Sequence, residues 1–597
     1  MKNNLTKKEI DNLLKWAKEY EIEDLDSEEK ILNITELKIN SYEKSIPKEI
    51  FKLTNLEKLD IVCWHLEEFP SEIGKLINLK ELNISCSCEE LPSEIGKLIN
   101  LKYLDIYCNN LKEFPSEIGN LINLKELDIW CENLEKLPKE IGNLNNLEKL
   151  NIDYSALKEL PKEIVNLINL KNLGIGDNSL KEFPKEIFNL KNLQNIRLDY
   201  LDKFKGWYKK INDLDNIKTI ELEISDSDKN EFPHEVFELS KLTNLFIFIR
   251  RNIKEIPKEI EKLINLKKLK IWCNNLKELP KEIWNLINLK ELDIRSRILE
   301  KLPSEIGNLT NLETLNIEYC DNLKELPREI GKLINLKYLD ICCKNFKELP
   351  SEIGNLINLE ELNLHCWYLE KFPKEIGKLI NLKILHLQCF DNYTPLCKNV
   401  EELPNEIGNL INLQELNIEC QNLKYIPKEI GNLINLKELG IECDNLKELP
   451  KEIGKLVNLK NLKIWCDSCD NLEELPKEIG NLTNLKELYL HSENLKYIPK
   501  EIGNLNNLEA LYIDCDNLKE LPKEIGKLIN LEYFNIECEN LEELPNEIRK
   551  LINLKYLNID CKNLKEIPNE ISNLVNTKIF KIKLNENYIK KETKNEK

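Results

Sequence analysis

The chain has 597 residues, of which 42% are hydrophobic and 32% charged, and its formal net charge is −19. This apolar fraction is enough for a folded core, which excludes a globally disordered chain. The acidity argues against nucleic acid or an anionic membrane surface as the main ligand, because both favour a basic protein face. We therefore expect partners that carry a basic segment.

The first thirty residues predict a helical cap. Thr6 and Glu9 have the spacing of a capping box, and Ile10, Leu13 and Ala17 follow on one apolar helical stripe. The sequence contains no apolar run of signal-peptide or membrane-span length. We assign residues 1–30 to an N-terminal helical cap and predict a cytoplasmic protein without a membrane span.

After the cap, one short pattern recurs along almost the whole chain. In one copy, Leu127 and Ile129 alternate with Glu126, Asp128 and Trp130, which predicts a short strand with an apolar inner side and a polar outer side. A proline follows, as in "LPKEIGNL", and predicts a short helical or 3₁₀ turn with the proline at its first position. Such a period predicts one stacked body instead of several globular domains.

These residues resemble the leucine-rich repeat family, in the 23-residue form "LPxEIGxLxNLKxLxI" that is seen in Ras-group and bacterial members. The resemblance implies an α/β solenoid, a horseshoe or superhelix with a parallel concave sheet of about 24 short strands and turns on the convex side. It covers residues 31–584 and leaves 585–597 as a polar C-terminal tail. It also implies an interaction scaffold.

Most of the 19 cysteines occupy one position, two residues after the second inward residue of a strand. We expect this cysteine ladder to consist of reduced, buried packing groups, because in-register parallel side chains do not converge for disulfides. The family usually has an asparagine near this position, and here that position varies. The ladder cysteines are Cys63, Cys86, Cys108, Cys131, Cys273, Cys343, Cys366, Cys389, Cys420, Cys443, Cys466, Cys515, Cys538 and Cys561.

The sequence offers no motif for catalysis. There is no phosphate-binding glycine loop, no H-E-x-x-H and no G-x-S-x-G, and the single "CDSC" at Cys466 and Cys469 lacks a second pair for zinc. We predict no catalytic residue, no cofactor and no metal site. One alternative is a substrate-recruiting part of a multi-chain enzyme or signalling system, such as a ubiquitin-ligase-like effector.

Partner binding is expected on the outward strand positions, where aromatic residues have no packing role. A basic protein or peptide segment would dock there beside acidic residues, and the oligomeric state stays open. Strand propensity alone could also explain the aromatics. Insertions at 203–210 and 390–400 are further candidates for contact or for neutral drift. The predicted partner-binding residues are Trp465, Tyr489, Tyr512, Tyr533, Tyr556, Glu487, Asp514, Glu537 and Asp560 in one group, and Tyr103, Tyr107, Trp130, Asp105 and Asp128 in another.

Overall fold

The structure is a computed structural model that divides into two units, Met1–Cys273 and Asn274–Lys597. The basic segment 203–210, residues 390–399 of the predicted insertion, Cys469 and the end of the tail lie outside the described residues. The described residues are 3, 5–41, 44–176, 180, 185–199, 216–224, 232, 234–249, 253–389, 400–466, 472–565, 579–584 and 587–592.

The N-terminal segment folds into helix α1, Lys7–Glu19, a 3₁₀ turn at Glu23–Leu25 and helix α2, Glu28–Asn33. The predicted capping box is confirmed, since the Glu9 amide donates to Thr6 and the Thr6 amide donates to Glu9. Ion pairing of Lys52 with Glu9 joins α1 to the first 3₁₀ turn of the repeats. No helix among the described residues has the length and apolar character needed to cross a bilayer.

The described part of the first unit contains eleven parallel strands, and each of the first ten is hydrogen-bonded to the strand that follows it. In β5 the burial alternates as the sequence predicts, with Leu127 and Ile129 buried and Glu126, Asp128 and Trp130 at least partly exposed. The strands are β1 Glu36–Asn40, β2 Lys58–Cys63, β3 Glu81–Cys86, β4 Tyr103–Cys108, β5 Glu126–Trp130, β6 Lys149–Asp153, β7 Asn172–Ile175, β8 Asn195–Asp199, β9 Thr219–Ile224, β10 Asn244–Ile249 and β11 Lys268–Cys273.

The second unit repeats this arrangement and ends in an antiparallel pair. Residues Asn587–Glu592 form β25 within the segment that the sequence analysis assigned to a polar tail. The sequence analysis missed this strand because the segment is highly charged, although its Tyr588 and Ile589 have strand propensity. The strands are β12 Glu291–Arg295, β13 Thr314–Glu318, β14 Tyr338–Cys342, β15 Glu361–His365, β16 Ile384–Gln388, β17 Glu415–Glu419, β18 Glu438–Glu442, β19 Asn461–Cys466, β20 Glu487–Ser492, β21 Ala510–Asp514, β22 Tyr533–Glu537, β23 Tyr556–Asp560, β24 Ile579–Leu584 and β25.

A 3₁₀ turn of five residues follows the repeat proline and leads back to the next strand. Pro138 has φ −68° and ψ 148°, so it precedes the turn as an extended N-cap instead of opening it as predicted. The turns are Lys48–Lys52, Ser71–Lys75, Ser93–Lys97, Ser116–Asn120, Lys139–Asn143, Lys162–Asn166, Lys185–Asn189, His234–Glu238, Lys258–Lys262, Lys281–Asn285, Ser304–Asn308, Arg328–Lys332, Ser351–Asn355, Lys374–Lys378, Asn405–Asn409, Lys428–Asn432, Lys451–Lys455, Lys477–Asn481, Lys500–Asn504, Lys523–Lys527 and Asn546–Lys550. This pattern confirms the predicted α/β solenoid class.

Asparagines connect successive turns at a position that the sequence analysis did not single out. Each lies in the "NL" that precedes a strand, and its Nδ2 donates to a backbone carbonyl one turn earlier. Asn123 reaches the Ile99 oxygen at 2.8 Å, and Asn358 reaches the Ile334 oxygen at 2.8 Å. A solvent-exposed asparagine ladder thus lies before the strands, whereas the family's usual asparagine position lies after them.

The ladder cysteines are buried, and they hydrogen-bond to the backbone of neighbouring strands. The Cys366 amide donates to the Gln388 carbonyl at 2.8 Å, and its thiol lies 3.5 Å from the Ile341 carbonyl on the other side. Cys320 has the same thiol contact, 3.8 Å from the Ile294 carbonyl. Tyr319, with φ 53°, is an extra residue before Cys320, so Cys320 lies three residues after Ile317 instead of two. For this reason the sequence analysis did not assign Cys320 to the ladder. The thiols therefore hydrogen-bond weakly to the backbone as well as fill space.

One cysteine contact differs from the expectation. The Sγ atoms of Cys86 and Cys108, on adjacent strands, lie 2.9 Å apart, so at this rung the side chains do converge. Both residues are buried, and the thiol of nearby Cys88 instead lies 3.2 Å from the Leu66 carbonyl. If oxidation forms any bridge within the ladder, we expect it between Cys86 and Cys108.

Thiol labelling with a maleimide under native and denaturing conditions will test the burial of the ladder. Burial raises the pKa of Cys131 and of Cys515 to about 12, so their reactive thiolate is rare at neutral pH. We expect the ladder thiols to label only after unfolding, while half-buried Cys342 labels earlier. Several bridges found by non-reducing mass analysis of freshly purified protein would contradict this prediction.

Candidate binding surfaces on the strand face

The outward side of each sheet, which we call the strand face, has three positions per strand. In β5 these positions are Glu126, Asp128 and Trp130, and we call them the first, second and third lanes. Parallel pairing places Asp105 beside Asp128 and Tyr107 beside Trp130. Chemically similar residues in successive repeats therefore form continuous rows.

In the first unit, four aromatic side chains form an unbroken row, which we call the aromatic row. The ring centroids of Trp64 and Tyr107 are 5.2 Å apart, those of Tyr107 and Trp130 are 6.1 Å apart, and those of Trp130 and Tyr154 are 5.1 Å apart. Trp64, Trp130 and Tyr154 remain 37–40% exposed. Large, rigid rings held at van der Waals distance supply apolar contact area at little conformational cost.

The sequence analysis found the middle of this row and missed both ends. Trp64 follows the end of β2, and Tyr154 follows the end of β6 with a left-handed φ of 48°. Trp64 reaches Tyr107 across β3, where the lane holds only Ser85, paired with Tyr107. The small Ser85 on the intervening strand was the only sequence signal that Trp64 could reach Tyr107. That signal can be interpreted only when the order of the strands is known.

A lane of carboxylates lies beside the aromatic row. Asp105 is paired in register with Asp128, and burial followed by the charge of Asp128 raises the pKa of Asp105. Lys149 compensates Asp128 at 2.9 Å, while Tyr103 lies 38% exposed in the first lane. A carboxylate whose pKa is raised in this way gains from a positive charge placed near it. The arrangement can therefore receive a cationic group whose aliphatic part contacts the rings.

The first unit has a second, smaller aromatic cluster on β10 and β11. The Phe248 and Trp272 rings pack edge to face at 4.6 Å, and the Lys270 ammonium lies 5.5 Å from the Phe246 ring. This cluster is smaller than the aromatic row and already has a cation of its own. It is therefore a weaker candidate for receiving a basic partner.

An ion pair crosses the strand face between β6 and β8. Arg197 Nη2 lies 2.6 Å from Asp153 Oδ1, and Asp153 is only 2% exposed. Gly174, on the strand between them, makes this possible, since a Cβ there would lie 3.0 Å from Arg197 Nη2 and 2.3 Å from Asn151 Oδ1. Because Asp153 directly precedes Tyr154, this ion pair lies at the end of the aromatic row.

In the second unit, the predicted aromatic residues divide among the three lanes. Trp465 lies in the third lane, Tyr489 and Tyr512 in the second, and Tyr533 and Tyr556 in the first. The Tyr489 and Tyr512 rings stack at 4.4 Å, and Trp465 stacks on His491 at 4.4 Å. The structure thus places all five on the strand face as a diagonal with two stacked pairs.

Some acidic residues of this diagonal have local partners. Glu442 forms an ion pair with Lys463 at 3.2 Å, and Asp514 Oδ2 is hydrogen-bonded with His491 Nδ1 at 2.8 Å. Asp514 lies beside Glu537, and Glu537 beside Asp560, in one lane. Glu487 accepts a hydrogen bond from the Tyr489 hydroxyl at 3.2 Å. We call Glu442, Glu487, Asp514, Glu537 and Asp560 the acidic stripe. Because some of these carboxylates already have partners, the negative electrostatic field of the stripe is weaker than the sequence suggests.

No group of three or more His, Cys, Asp or Glu side chains within the described part of the chain has an arrangement suited to a metal ion. The groups on the strand face instead form charge pairs, amide hydrogen bonds and stacked rings. Such a surface can bind by contact. A stack of parallel strands and 3₁₀ turns with long exposed lanes defines a repeat protein of the α/β solenoid class.

The sequence itself shows the family. A family described as "Leucine-rich repeat region" matches residues 15–133, 87–157, 139–252, 246–326, 281–422, 396–488 and 421–517, which together extend over most of the chain. The chain belongs to the leucine-rich repeat family. Comparison with curated protein sequences gave no match.

Several solved structures are similar to this chain. The plant peptide hormone receptor RGFR1 in complex with RGF2 is 26% identical with a TM-score of 0.44, and the match covers 91% of this chain and 88% of that chain. A leucine-rich repeat protein of Leptospira interrogans is 30% identical with a TM-score of 0.32, covering 84% and 95%. An internalin of Listeria monocytogenes is 21% identical with a TM-score of 0.35, covering 59% and 93%.

Proposed function

We propose that this protein is a non-catalytic, cytoplasmic interaction module that binds a protein or peptide with a basic segment on its strand face. Leucine-rich repeats are typically interaction modules, and their stacked strands offer an extended surface. The observation that carries the proposal is the aromatic row from Trp64 to Tyr154 beside the Asp105 and Asp128 carboxylates. Aromatic anchors next to complementary charge are the usual composition of a binding hot spot.

The physical logic is that the two neighbouring lanes act on different parts of one side chain. A lysine or arginine can lay its aliphatic stem against Tyr107 and Trp130 while its charge meets the exposed carboxylate of Asp105. Lys149 already satisfies Asp128 at 2.9 Å, so the electrostatic gain is concentrated at Asp105. This surface selects cationic side chains with long stems over anionic ones.

Selection of randomised displayed peptides on the immobilised chain will test the proposal. We expect enrichment of sequences rich in lysine, arginine and aromatic residues, and loss of that enrichment when the selection is repeated on an Asp105→Asn, Trp130→Ala variant. Enrichment of acidic peptides, or the same peptides on the variant, would refute it. A pull-down from native lysate with mass spectrometry will then identify the natural partner.

The second unit's acidic stripe is a second docking surface for the same kind of partner. It is supported by the stacked Tyr489 and Tyr512 and by Tyr533, which is 43% exposed. Local pairs such as Lys463 with Glu442 must be displaced or accommodated there. We therefore expect weaker binding at this stripe than at the aromatic row.

Salt dependence and two substitutions distinguish docking at the stripe from mere solubility. Association of a lysine-rich peptide should slow as salt rises from about 0.01 to 0.15 M, where the Debye length falls from about 30 to 8 Å. Tyr512→Ala with Tyr533→Ala should speed dissociation without unfolding the chain, because both side chains point outward. Stopped-flow measurements that show neither effect would remove the stripe as a binding surface.

A further inference from the structure

An aliphatic ridge runs along the turns that precede the strands of the second unit. Six successive repeats place Ile334, Ile357, Ile380, Ile411, Ile434 and Val457 at the same position, and each is 47–54% exposed. With about 4.8 Å between neighbouring parallel strands, the ridge is about 24 Å long. Apolar exposure of this length is unusual on a soluble surface and marks an interaction site.

The asparagine ladder holds the ridge in register. The backbone oxygen of each ridge residue accepts the Nδ2–H of the next repeat's asparagine, at 2.8 Å for Ile357 with Asn381 and for Ile380 with Asn412. β-Branched side chains have few rotamers. The six apolar side chains are therefore presented at equal height and at constant spacing, even though they lie on turns.

Lysines flank the ridge on both sides. The residue that ends each preceding 3₁₀ turn is Lys332, Asn355, Lys378, Asn409, Asn432 or Lys455, a row without any acid. On the other side, the residue that precedes each strand is Lys337, Glu360, Lys383, Gln414, Lys437 or Lys460, and only Glu360 is acidic. These two rows, which we call the basic rim, hold seven lysines and one glutamate, and two of the lysines, Lys337 and Lys383, are paired with Glu313 and Glu360.

A polar groove lies next to the ridge. It has a volume of about 500 Å³ and is lined by Lys337, Asn358, Glu360, Asn381, Lys383, Asn412, Gln414, Asn435 and Lys437. Lys383 pairs with Glu360 at 2.5 Å, and Lys437 donates to Gln414 at 2.8 Å. The second N–H of each asparagine amide and the ammonium groups, where an anion displaces their present partners, can donate to anionic oxygen atoms.

We propose that this basic rim binds the surface of an anionic phospholipid bilayer, with the ridge at the acyl boundary and the lysines and groove among the headgroups. The aliphatic ridge protrudes from the surface, and the groove beside it is polar. A protein hot spot would instead need an apolar pocket to receive a partner's anchor. Protruding aliphatic side chains between snorkelling lysines match interfacial membrane binding.

The net charge of −19 does not oppose this arrangement at physiological salt. Exposed charges act over about 8 Å there, so a membrane at the rim responds to the flanking lysines more than to distant carboxylates. The sequence analysis expected acidity to disfavour membranes because it used the net charge of the whole chain. The fold places acidic and basic residues on different surfaces, so the net charge does not describe the basic rim. Binding at the rim is independent of partner binding on the strand face.

Vesicle co-sedimentation at about 0.15 M salt will test the proposal. The full chain should pellet with phosphatidylcholine vesicles that contain phosphatidylserine and should pellet much less with phosphatidylcholine alone. A variant with Ile357→Thr, Ile380→Thr and Ile411→Thr should lose about tenfold or more in partitioning. The fold tolerates this change, since Thr310 and Thr483 occupy the same position in other repeats.

A second variant separates charge from apolar contact. Lys332→Gln, Lys378→Gln and Lys455→Gln should abolish the preference for anionic vesicles, while Tyr512→Ala on the strand face should leave partitioning unchanged. Wild-type chain that stays in the supernatant, or a threonine variant that pellets like wild type, would overturn the proposal. Binding to soluble polyglutamate in preference to vesicles would instead show that the rim recognises an acidic polypeptide.

Discussion

Replacing Trp130 and Tyr107 together with alanine is expected to weaken binding of a selected basic peptide by a factor of about 30 or more. This is the loss that corresponds to a hot spot of about 2 kcal/mol. Both rings lie in the centre of the aromatic row, with Trp64 on one side and Tyr154 on the other. Their removal exposes the neighbouring rings to water and removes the apolar surface against which the stem of a basic side chain would pack.

Isothermal titration of the peptide against the two chains measures the effect directly. Tyr497→Ala is a matched control, because Tyr497 is 50% exposed and lies outside the strands. The control should bind like wild type, and circular dichroism should show that both variants are folded. Equal affinity of the double variant and wild type would exclude the aromatic row as the main site.

Replacing Arg197 with methionine is expected to destabilise the folded chain by about 3–5 kcal/mol at neutral pH, because it leaves a buried carboxylate without its cation. Asp153 is 2% exposed, and Arg197 Nη2 lies 2.5 Å from its Oδ2. Methionine retains much of the aliphatic volume, so the effect reports on charge more than on packing. Urea unfolding and hydrogen exchange of β6 to β8 measure the loss.

The pH dependence of this loss has a definite sign. Burial, the largest influence, raises the pKa of Asp153 above its ordinary value of 3.8, although Arg197 opposes the shift. The folded chain therefore binds this proton more tightly than the unfolded chain, and stability falls as pH rises from 3.8 through the raised pKa. Without Arg197 the rise in pKa is larger, so the deficit of the variant should shrink toward acidic pH.

The double variant Asp153→Asn, Arg197→Met supplies the control for the buried pair. With the carboxylate neutralised, it should recover part of the lost stability at pH 7 and lose most of the pH dependence. A single Arg197→Met variant as stable as wild type at neutral pH would mean that water solvates Asp153 in place of Arg197.

The sequence by itself determined the strands, the turns and the inward or outward direction of most side chains. These follow from local alternation and from a repeat that places the same residue type at the same point of each turn. The capping box at Thr6 and Glu9 was equally local, and the structure confirms it. The candidate residues Tyr107, Trp130, Asp105 and Asp128 were found for the same reason, as outward positions of adjacent strands.

Only the tertiary structure decided which side chains meet across strands. Trp64 reaches Tyr107 because the strand between them carries small Ser85, and Arg197 reaches Asp153 across Gly174. The aromatic residues of β19 to β23 share the strand face as expected, and the pairing of the strands arranges them as a diagonal over three lanes. The fold also separates basic turns from acidic strands, whereas composition reports only their sum, since contact between repeats depends on register and side-chain size at positions distant in sequence.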